Sequence, residues 1–355
     1  MNKKKVQSLI HFILNMPFLT WVFLPFFISY LIIFVRPIFL TGSVMQFPSY
    51  IPELDPIGRD LKQMLSFSEL WFITKESPYI EGNLYTPLST LLFTPLLIVK
   101  KSLAYIIVTF INVVLYVLIT FIFPLKINKN KQASSILTLI LITGLFSYGF
   151  QFELERGQFN VITMFFCFLS IWIYHYHNKY RYFAYFLFTI AIQLKVYPII
   201  FSVMFITNWR DWRKIIKKFF LLSLVNFGLL YILGSNVFFD FITAIKENIV
   251  NPYIWLGNHS VLSFVTLLSE SYVVSIHCLP CSNFLNQYSG FIVFLLISII
   301  TVCIIIILLQ AYISKQKGLN SHLFLACTIG ALIIPSVSHD YKLSILGGPI
   351  ALLFS

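Results

Sequence analysis

The chain has 355 residues, of which 58% are hydrophobic and only 11% carry a charge. Soluble domains have about 25% charged residues, so this composition, with a mean hydropathy of +0.85, excludes an ordinary soluble protein. Apolar runs of about 20 residues recur along the sequence and indicate transmembrane helices. The net charge of +12 fits basic cytoplasmic loops, so we expect no nucleic acid partner.

The pattern predicts an all-α polytopic membrane protein with about 8–10 transmembrane helices. No long polar segment could form a separate soluble domain, so residues 1–355 are predicted to be one integral membrane domain. Three lysines at residues 3–5 precede a first apolar run, which predicts an uncleaved signal anchor with a helix at residues 17–39. Later spans are predicted at residues 102–124, 134–150, 159–176, 219–233, 290–313, 319–334 and 343–354, with a further short helix at 261–268.

Between the first two predicted spans lies a polar segment, residues 41–84, in which Leu61, Leu65 and Trp71 recur at helical spacing. This pattern predicts an outer loop with a short interfacial helix. The apolar run that follows, residues 85–99, is only about 22 Å long as a helix, so it either crosses or dips in and returns. If it returns, most Lys and Arg residues fall in cytoplasmic loops with one acid, Asp211. The positive-inside rule favours that topology and a multi-pass protein of the cytoplasmic membrane.

The same topology makes residues 182–209 enter the membrane and return, because basic loops flank both ends. Only two short helices fit in that length, and Pro198 interrupts the helix near Lys195. Broken helices at membrane depth line polar cavities, and an intramembrane lysine is a candidate functional residue. A lysine that snorkels to the interface would give the same sequence.

Unusual polar residues then collect on the outward face, which suggests an active site there. Each has a simpler reading: Asp60 as a loop acid, Gln158 and Asn160 as interhelical hydrogen-bond donors, Asn258 as a helix cap. Glu153, Glu155 and Arg156 could pair only with one another. The collected residues are Asp60, residues 153–160, Lys195, residues 257–260 and residues 338–342.

Two of the five cysteines, Cys278 and Cys281, have motif spacing. A zinc site needs two further ligands at suitable spacing, and the sequence offers no second cluster. We therefore expect no metal, and interpret the pair as a local disulfide in an outer loop or as unpaired thiols.

The order of the polar residues resembles the GT-C class of polytopic glycosyltransferases, and most closely glycosyltransferase family 87, the polyprenyl-phosphate-mannose-dependent α-mannosyltransferases. The resemblance runs over residues 60–342. It rests on the aspartate of the first outer loop, Tyr-Thr-Pro at 85–87, Arg-Gly-Gln-Phe-Asn at 156–160, Lys-Val-Tyr-Pro at 195–198, Asn-His-Ser at 258–260 and the late His339.

The resemblance implies a GT-C-like bundle with a catalytic first outer loop and short re-entrant or broken helices. It also implies transfer of a hexose, mannose by analogy, from a polyprenyl-phosphate sugar to a glycan or glycolipid acceptor at the outer face. One base, Asp60, and one displacement imply inversion at the anomeric carbon. No cofactor is expected, because the lipid-linked sugar is itself the activated co-substrate.

The leaving group of this reaction is a lipid phosphate, whose growing charge needs fixed cations. The predicted phosphate-binding residues are Lys195 first, then Arg156, His339 and Lys342. The predicted substrate-binding residues are Tyr85, Gln158, Asn160, Asn258 and His259.

Two alternatives use the same sequence features. A transporter of lipid-linked oligosaccharides or solutes also needs broken helices and intramembrane charge, although the sequence has no repeated halves. An outer-face polysaccharide polymerase or ligase would be an enzyme with different substrates.

Overall fold

The computed structural model describes residues 57–80, 82–127, 131–207, 211–270, 277–313 and 318–354. These residues form helices joined by short connections, with no strand among them apart from one isolated bridge between Asn258 and His339. The fold agrees with the all-α prediction. The predicted first span, residues 17–39, and residues 41–56 of the outer loop lie outside the described residues.

The first half of the described fold consists of helices α1 to α6. They are Arg59–Glu69, Pro87–Phe93, Lys101–Val117, Lys131–Leu145, Tyr148–Arg156 and Asn160–Tyr176. Helix α3 continues through a π-helical turn at Leu118–Ile122 to give one long helix, Lys101–Ile127. Helix α1 continues into a π-helical turn at Leu70–Thr74, and α2 continues into a 3₁₀ helix at Thr94–Ile98.

The second half contains two longer 3₁₀ helices, Tyr197–Phe205 and Asp340–Leu346. Most predicted helices are present with ends shifted by a few residues, but Trp212–Leu229 and Leu279–Ile313 begin 7 and 11 residues before the predicted residues 219 and 290. Ser235–Val250 was not predicted, because Asp240, Lys246 and Glu247 interrupt its apolar run. Helices α7 to α13 are Arg181–Leu194, Trp212–Leu229, Ser235–Val250, Val261–Ser269, Leu279–Ile313, Ser321–Ile333 and Gly347–Leu353.

Membrane-spanning length is reached by two helices of the described residues, Lys101–Ile127 and Leu279–Ile313. A third span results if Ser134–Leu145 and Tyr148–Arg156, bent by 48° against each other, count as one. Shorter apolar helices include Pro87–Ile98, Asn160–Tyr176 and Ser321–Ile333. The fold therefore fits an integral membrane protein, while the number of about 8–10 spans stays a prediction.

The predicted hairpin at residues 182–209 is present as two short helices. Helix α7 ends at Leu194, and the 3₁₀ helix Tyr197–Phe205 begins directly before Pro198. Proline has no N–H to donate and is tolerated in the first turn of a helix. Lys195 and Val196 therefore form the turn of the hairpin, as predicted from Pro198.

Aromatic side chains hold the centre of the bundle. The ring of Phe324 in α12 lies 5.6 Å from Phe168 in α6 and 5.1 Å from Phe201 in the 3₁₀ helix after α7. All three side chains are buried. Aromatic pairs at these separations add about 0.5–1.5 kcal/mol beyond their area burial, so this cluster ties the hairpin to the C-terminal helices.

Helix ends that carry the basic loops meet at one end of the bundle, here called the basic end. Tyr174 donates a hydrogen bond to the carbonyl of Phe205 (2.8 Å) and accepts one from Lys218 (3.4 Å). Tyr176 accepts one from the backbone N–H of Leu319 (3.3 Å). The end of α6, the end of the 3₁₀ helix Tyr197–Phe205, the N-terminal part of α8 and Leu319 thus lie together, about 25 Å along α6 from Asn160.

The cysteine pair forms a disulfide at the start of α11. Cys278 and Cys281 are bonded to each other, while Cys167, Cys303 and Cys327 are free thiols. Of the two interpretations of the sequence, the structure adopts the local disulfide.

Candidate active site

A cavity of about 600 Å³ opens at the end of the bundle opposite the basic end. It is bordered by α1, the turn before α2, the segment between α5 and α6, the tip of the hairpin and the segment after α12. Eight predicted site residues line it: Asp60, Tyr85, Arg156, Gln158, Asn160, Lys195, His339 and Lys342. These residues are spread over almost 300 positions of sequence, and the fold collects them in one place.

Asp60 is buried in the first turn of α1 and has a partner for each carboxylate oxygen. Its Oδ1 forms an ion pair with Nη2 of Arg156. Its Oδ2 accepts a hydrogen bond from Nε2 of Gln158 at 2.5 Å. Arg156 therefore pairs with Asp60 and not with its own helix neighbours, Glu153 and Glu155. These two bonds aim the carboxylate into the cavity.

Gln158 connects the carboxylate to the lysine of the hairpin tip. Its Oε1 accepts a hydrogen bond from Nζ of Lys195 at 2.8 Å, while its Nε2 bonds Asp60. The hydroxyl of Tyr85 lies 3.4 Å from the same Nζ and 3.2 Å from Gln158 Nε2. The Lys195 ammonium also lies over the rings of Tyr85 (4.8 Å) and Phe159 (4.6 Å), where the ring quadrupole attracts a cation.

Two glycines with a left-handed backbone conformation allow the start of α1 to pack closely against the end of α5. Gly58 has a φ of 72° and Gly157 a φ of 66°. A Cβ atom on Gly157 would lie 2.9 Å from Cβ of Leu61 and 3.3 Å from Cα of Gly58. Since glycine adopts positive φ without strain and leaves this space free, the two positions bring Asp60 beside Arg156 and Gln158.

Buried polar groups of neighbouring elements hold the segment that carries Gln158 in place through hydrogen bonds. Asn112 of α3 donates to the carbonyl of Gln158 at 2.7 Å. Glu153, fully buried, accepts the backbone N–H of Val161 at 2.8 Å and the hydroxyl of Ser344. These contacts join α3, α5, α6 and the 3₁₀ helix that carries Lys342, so the cavity wall is assembled from several elements at once.

Lys195 and Lys342 both lie outside the candidate spans, and burial depresses the pKa of each. Burial lowers the pKa of Lys195 to about 8, against the opposing charges of Glu153 and Asp60. Burial, and then the charge of Lys195, lower the pKa of Lys342 to about 7. The ammonium of Lys342 lies 4.9 Å from the ring centroid of Tyr197. Among the described residues neither lysine has a carboxylate ion-pair partner, so both are available to an anion.

His339 lines the cavity and is fixed by the loop that precedes α10. Nε1 of Trp255 donates to Nδ1 of His339 at 2.9 Å. Burial, then the charge of Lys195, lower the pKa of His339 to about 4. The ring is therefore uncharged near neutral pH, and the prediction that His339 acts as a fixed cation is not supported.

Buried amides in the cavity wall have hydrogen-bonding capacity left over. Both side-chain polar atoms of Asn160 and Nδ2 of Asn83 have no partner among the described residues. Each side chain is only 1% exposed, and each lines the cavity. Because an unpaired buried amide costs about 1–3 kcal/mol, these groups indicate a polar ligand such as a sugar hydroxyl.

Asn258 and His259 lie outside the cavity lining, in contrast to the other predicted site residues. Asn258 donates to the carbonyls of Tyr253 (3.0 Å) and Ser336 (2.9 Å), and accepts from the N–H groups of Ser260 (3.1 Å) and Ser338 (2.9 Å). Its side chain therefore joins two loops and has little capacity left for substrate.

The imidazole of His259 lies 2.6 Å from Oδ1 of Asp340, and Tyr148 donates to the other carboxylate oxygen at 2.7 Å. Neither contact points to the cavity. The substrate-binding prediction for Asn258 and His259 thus receives no support from their surroundings.

Part of the cavity lining is apolar. It includes Ile199 and Ile200 of the hairpin, Ile245 of α9, and Ile334 and Val337 after α12. Ile199 is more than half exposed at the surface of the bundle. A ligand with a charged head and a hydrocarbon tail would satisfy both the charged and the apolar parts of such a cavity.

The model of glycosyltransferase family 87 matches residues 83–337, more than half of the chain. The chain belongs to glycosyltransferase family 87. No curated protein and no solved structure matches it. The protein is therefore a glycosyltransferase with a sugar donor and an acceptor, and its cavity is the candidate active site. The alternative of a transporter is not supported by this membership.

The match divides the site residues into two groups. Tyr85, Arg156, Gln158, Asn160 and Lys195 lie inside the matched segment of this glycosyltransferase. The remaining cavity residues, Asp60, His339 and Lys342, lie outside it, so their place in the site rests on the structure. Asp60 is bonded directly to two residues of the matched segment, Arg156 and Gln158.

Several residues of the site were not predicted. Gly58, Asn83, Asn112 and Trp255 act through contacts with residues far away in sequence, which a single sequence does not reveal. The clearest available signal was Gly157, since a glycine directly after a helix often ends it in the left-handed conformation.

Proposed function

We propose that this glycosyltransferase moves a hexose, mannose in the first instance, from a polyprenyl-phosphate sugar to a glycan or glycolipid acceptor at the outer face of the cytoplasmic membrane. Asp60 is the general base, and the anomeric carbon is inverted. The observation that carries this proposal is the bonded series Asp60, Gln158 and Lys195, which holds one carboxylate and one cation at fixed separation in a single cavity.

The carboxylate suits the removal of a proton from the acceptor hydroxyl. Asp60 is the one acid among the described residues that line the cavity. A positioned base contributes about 10²–10⁴-fold to the rate of such a step. With a single carboxylate, the reaction has one displacement: the acceptor oxygen bonds the anomeric carbon, the bond to the phosphate oxygen breaks, and the proton passes to Asp60.

The two free lysines suit the leaving group. A sugar–phosphate diester carries one negative charge, and the departing lipid phosphate reaches about −2 at neutral pH. Lys195 and Lys342, in their charged forms, provide two positive charges that no carboxylate of the described residues neutralises. Cations that match the charge of the leaving group more closely than that of the ground state favour the transition state.

The apolar wall supports a lipid-linked donor. Ile199, Ile200 and Ile334 line the cavity next to the hairpin tip that carries Lys195. A polyprenyl chain gains about 0.8 kcal/mol for each CH₂ group it buries. The unpaired amides of Asn83 and Asn160 suit the hydroxyls of a neutral hexose.

The position of the cavity supports the outer face. The positive-inside rule places the basic end in the cytoplasm, and the cavity opens at the opposite end of the bundle. The acceptor and the lipid donor would then meet at the outer leaflet.

The test uses purified full-length protein in nanodiscs with radiolabelled polyprenyl-phosphate mannose and a panel of glycolipid acceptors. We expect transfer with inverted configuration, and a loss of at least about 100-fold in Asp60→Asn with donor binding retained. The matched control is Asp240→Asn, an exposed acid on α9, which should transfer normally. Near-normal turnover by Asp60→Asn would overturn the assignment of the base, and transfer only from other donors would overturn the donor.

A further inference from the structure

The loop before α10 holds His339 in a manner that decides which ring nitrogen carries the proton. The indole N–H of Trp255 is a donor and has no acceptor function. It lies 2.9 Å from Nδ1 of His339, so Nδ1 must accept. In an uncharged imidazole the proton is then on Nε2.

The contact is built into the backbone on both sides. Residues 257–259 pair with residues 338–340 like two short antiparallel strands: the N–H of His259 donates to Ser338 (2.8 Å) and the N–H of Asp340 donates to Gly257 (3.0 Å). The carbonyl of Trp255 accepts the N–H of Asn258 at 3.0 Å and the hydroxyl of Ser263 at 3.2 Å. The indole therefore approaches the imidazole in a fixed register.

Gly257 leaves the space that the indole occupies. A Cβ atom at this position would lie 2.3 Å from Cη2 of Trp255 and 2.8 Å from Oδ2 of Asp340. The absence of a side chain at residue 257 is thus required for the indole to fold back toward His339.

The surroundings of His339 are mostly cationic and aromatic. Lys195, Arg156 and Lys342 repel a charged imidazole, while Asp60 alone among the facing groups with a resolved influence favours one. The rings of Tyr253, Trp255 and Tyr341 pack around it at 5.3 to 5.9 Å. An uncharged ring in such a place adds a hydrogen-bond donor to the anion site without adding another positive charge that these cations would repel.

We propose that Trp255 is a positioning residue, which fixes His339 in the tautomer with its proton on Nε2, so that His339 meets the donor phosphate as an uncharged hydrogen-bond donor. The role toward phosphate rests on the proposed function. The tautomer itself is a property of the protein alone, which makes the two parts separately measurable.

The first measurement is ¹⁵N NMR of full-length protein with labelled histidine in nanodiscs, in which His339→Gln assigns the signal among the seven histidines. We expect His339 to be uncharged with the proton on Nε2 across neutral pH. In Trp255→Phe we expect both tautomers, because the indole donor is gone. Gly257→Ala, which displaces the indole without removing it, should act in the same direction. The matched control is Trp172→Phe, which lies near the basic end against Phe123 and should leave the signal unchanged.

The second measurement is transfer kinetics. We expect kcat of Trp255→Phe to fall about tenfold, less than the 10²–10³-fold loss when a transition-state donor is deleted outright, with KM for the acceptor unchanged. In the His339→Gln background the same substitution should have no further effect, since both changes remove one coupled interaction.

The proposal is overturned if Trp255→Phe leaves the tautomer of His339 unchanged, or if it lowers kcat equally in both backgrounds, since a merely structural tryptophan would behave so. If the wild-type protein transfers no sugar from a polyprenyl-phosphate donor, the proposed function fails. A single Nε2–H tautomer that becomes mixed in Trp255→Phe would then still establish the part played by Trp255, and a mixed tautomer in the wild-type protein would exclude it.

Discussion

At the scale of single residues, the site depends on Gln158 and its two partners. An amide can donate and accept at once, and Gln158 uses both functions to join a carboxylate to an ammonium group. A charged residue in its place would favour one neighbour at the expense of the other. The sequence element Gly-Gln-x-Asn pointed to this position, but its two partners, 98 and 37 positions away, could not be read from a local pattern.

The two lysines predict a pH dependence of donor binding. The pKa values of Lys342 and Lys195 are lowered to about 7 and about 8, so both are charged at pH 6 and both are neutral at pH 9 in the unliganded protein. Because the donor phosphate binds the charged form, each lysine must take up a proton on binding at high pH. At a pH above the pKa of a lysine, we expect the Kd for the donor to rise about tenfold per pH unit for each proton that binding takes up.

The variant Lys342→Met identifies the lysine responsible for the lower part of this profile. It removes the ammonium group while it keeps a long apolar side chain. We expect weaker donor binding at pH 6 and loss of the part of the dependence that begins near pH 7, measured by titration with a fluorescent polyprenyl-phosphate sugar. Lys246→Met, an exposed lysine on α9, is the control. A profile that stays unchanged in Lys342→Met would exclude this lysine from the phosphate site.

At the scale of elements, the crossing of α1 and α5 positions the proposed base. In Gly157→Ala a left-handed backbone would cost about 1–2 kcal/mol for an L residue, and the new Cβ would press on Leu61 at 2.9 Å. We expect a lower thermal unfolding midpoint together with a loss of transfer, because α1 must move and carry Asp60 away from Gln158.

The variant Gly234→Ala is the control for Gly157→Ala, because it introduces backbone strain without a steric contact of the new Cβ atom. Gly234 also has a positive φ, of 102°, but a Cβ atom there has no heavy atom within 4 Å. This variant should lose stability and keep its activity per folded molecule. Equal losses of specific activity in both glycine variants would contradict the idea that the crossing itself sets the position of Asp60.

The side chain of Asn258 joins the loop before α10 to the segment after α12. It forms four hydrogen bonds to backbone groups. If these bonds are lost, the backbone groups remain buried without a partner, and each costs about 1–3 kcal/mol of folding free energy. We expect Asn258→Ala to expose residues 251–260 to limited proteolysis, while the exposed Asn286→Ala should not. A variant with normal protease resistance but weaker substrate binding would instead support the substrate role suggested by its sequence motif.

Some of these elements could be predicted from the sequence and others could not. The hairpin with Lys195 at its tip was predictable, because Pro198 interrupts a helix and basic loops flank both sides. Helix α9 was missed, since Asp240, Lys246 and Glu247 give its sequence a polar face. It packs through Phe241 against Tyr79 and contributes Ile245 to the cavity. The closeness of Gly58 to Gly157, and of Trp255 to His339, depends on long-range packing that no local pattern encodes.

At the scale of the whole molecule, the arrangement of charge along the bundle agrees with the position of the site. Among the described residues, Arg181 and Lys218 contact Tyr174 at the basic end, and the cavity lies at the other end. Asn112, which holds Gln158, is about 16 Å along α3 from Lys101 at 1.5 Å per residue. Gln158 and the part of the cavity wall to which it belongs therefore lie well inward from the Lys101 end of α3.

This arrangement predicts opposite accessibility for the two ends of the bundle. Glu76, after α1, and Lys179, between α6 and α7, are both exposed. We expect a cysteine from Glu76→Cys in a background without native cysteines to react with a membrane-impermeant maleimide in intact cells. A cysteine from Lys179→Cys should react only after the membrane is opened. Both variants must retain transfer, so that the labelled protein is the folded one. The reverse pattern would place Asp60 in the cytoplasm, where a lipid donor and an acceptor at the outer leaflet could not reach it, and the proposed reaction would have to be abandoned.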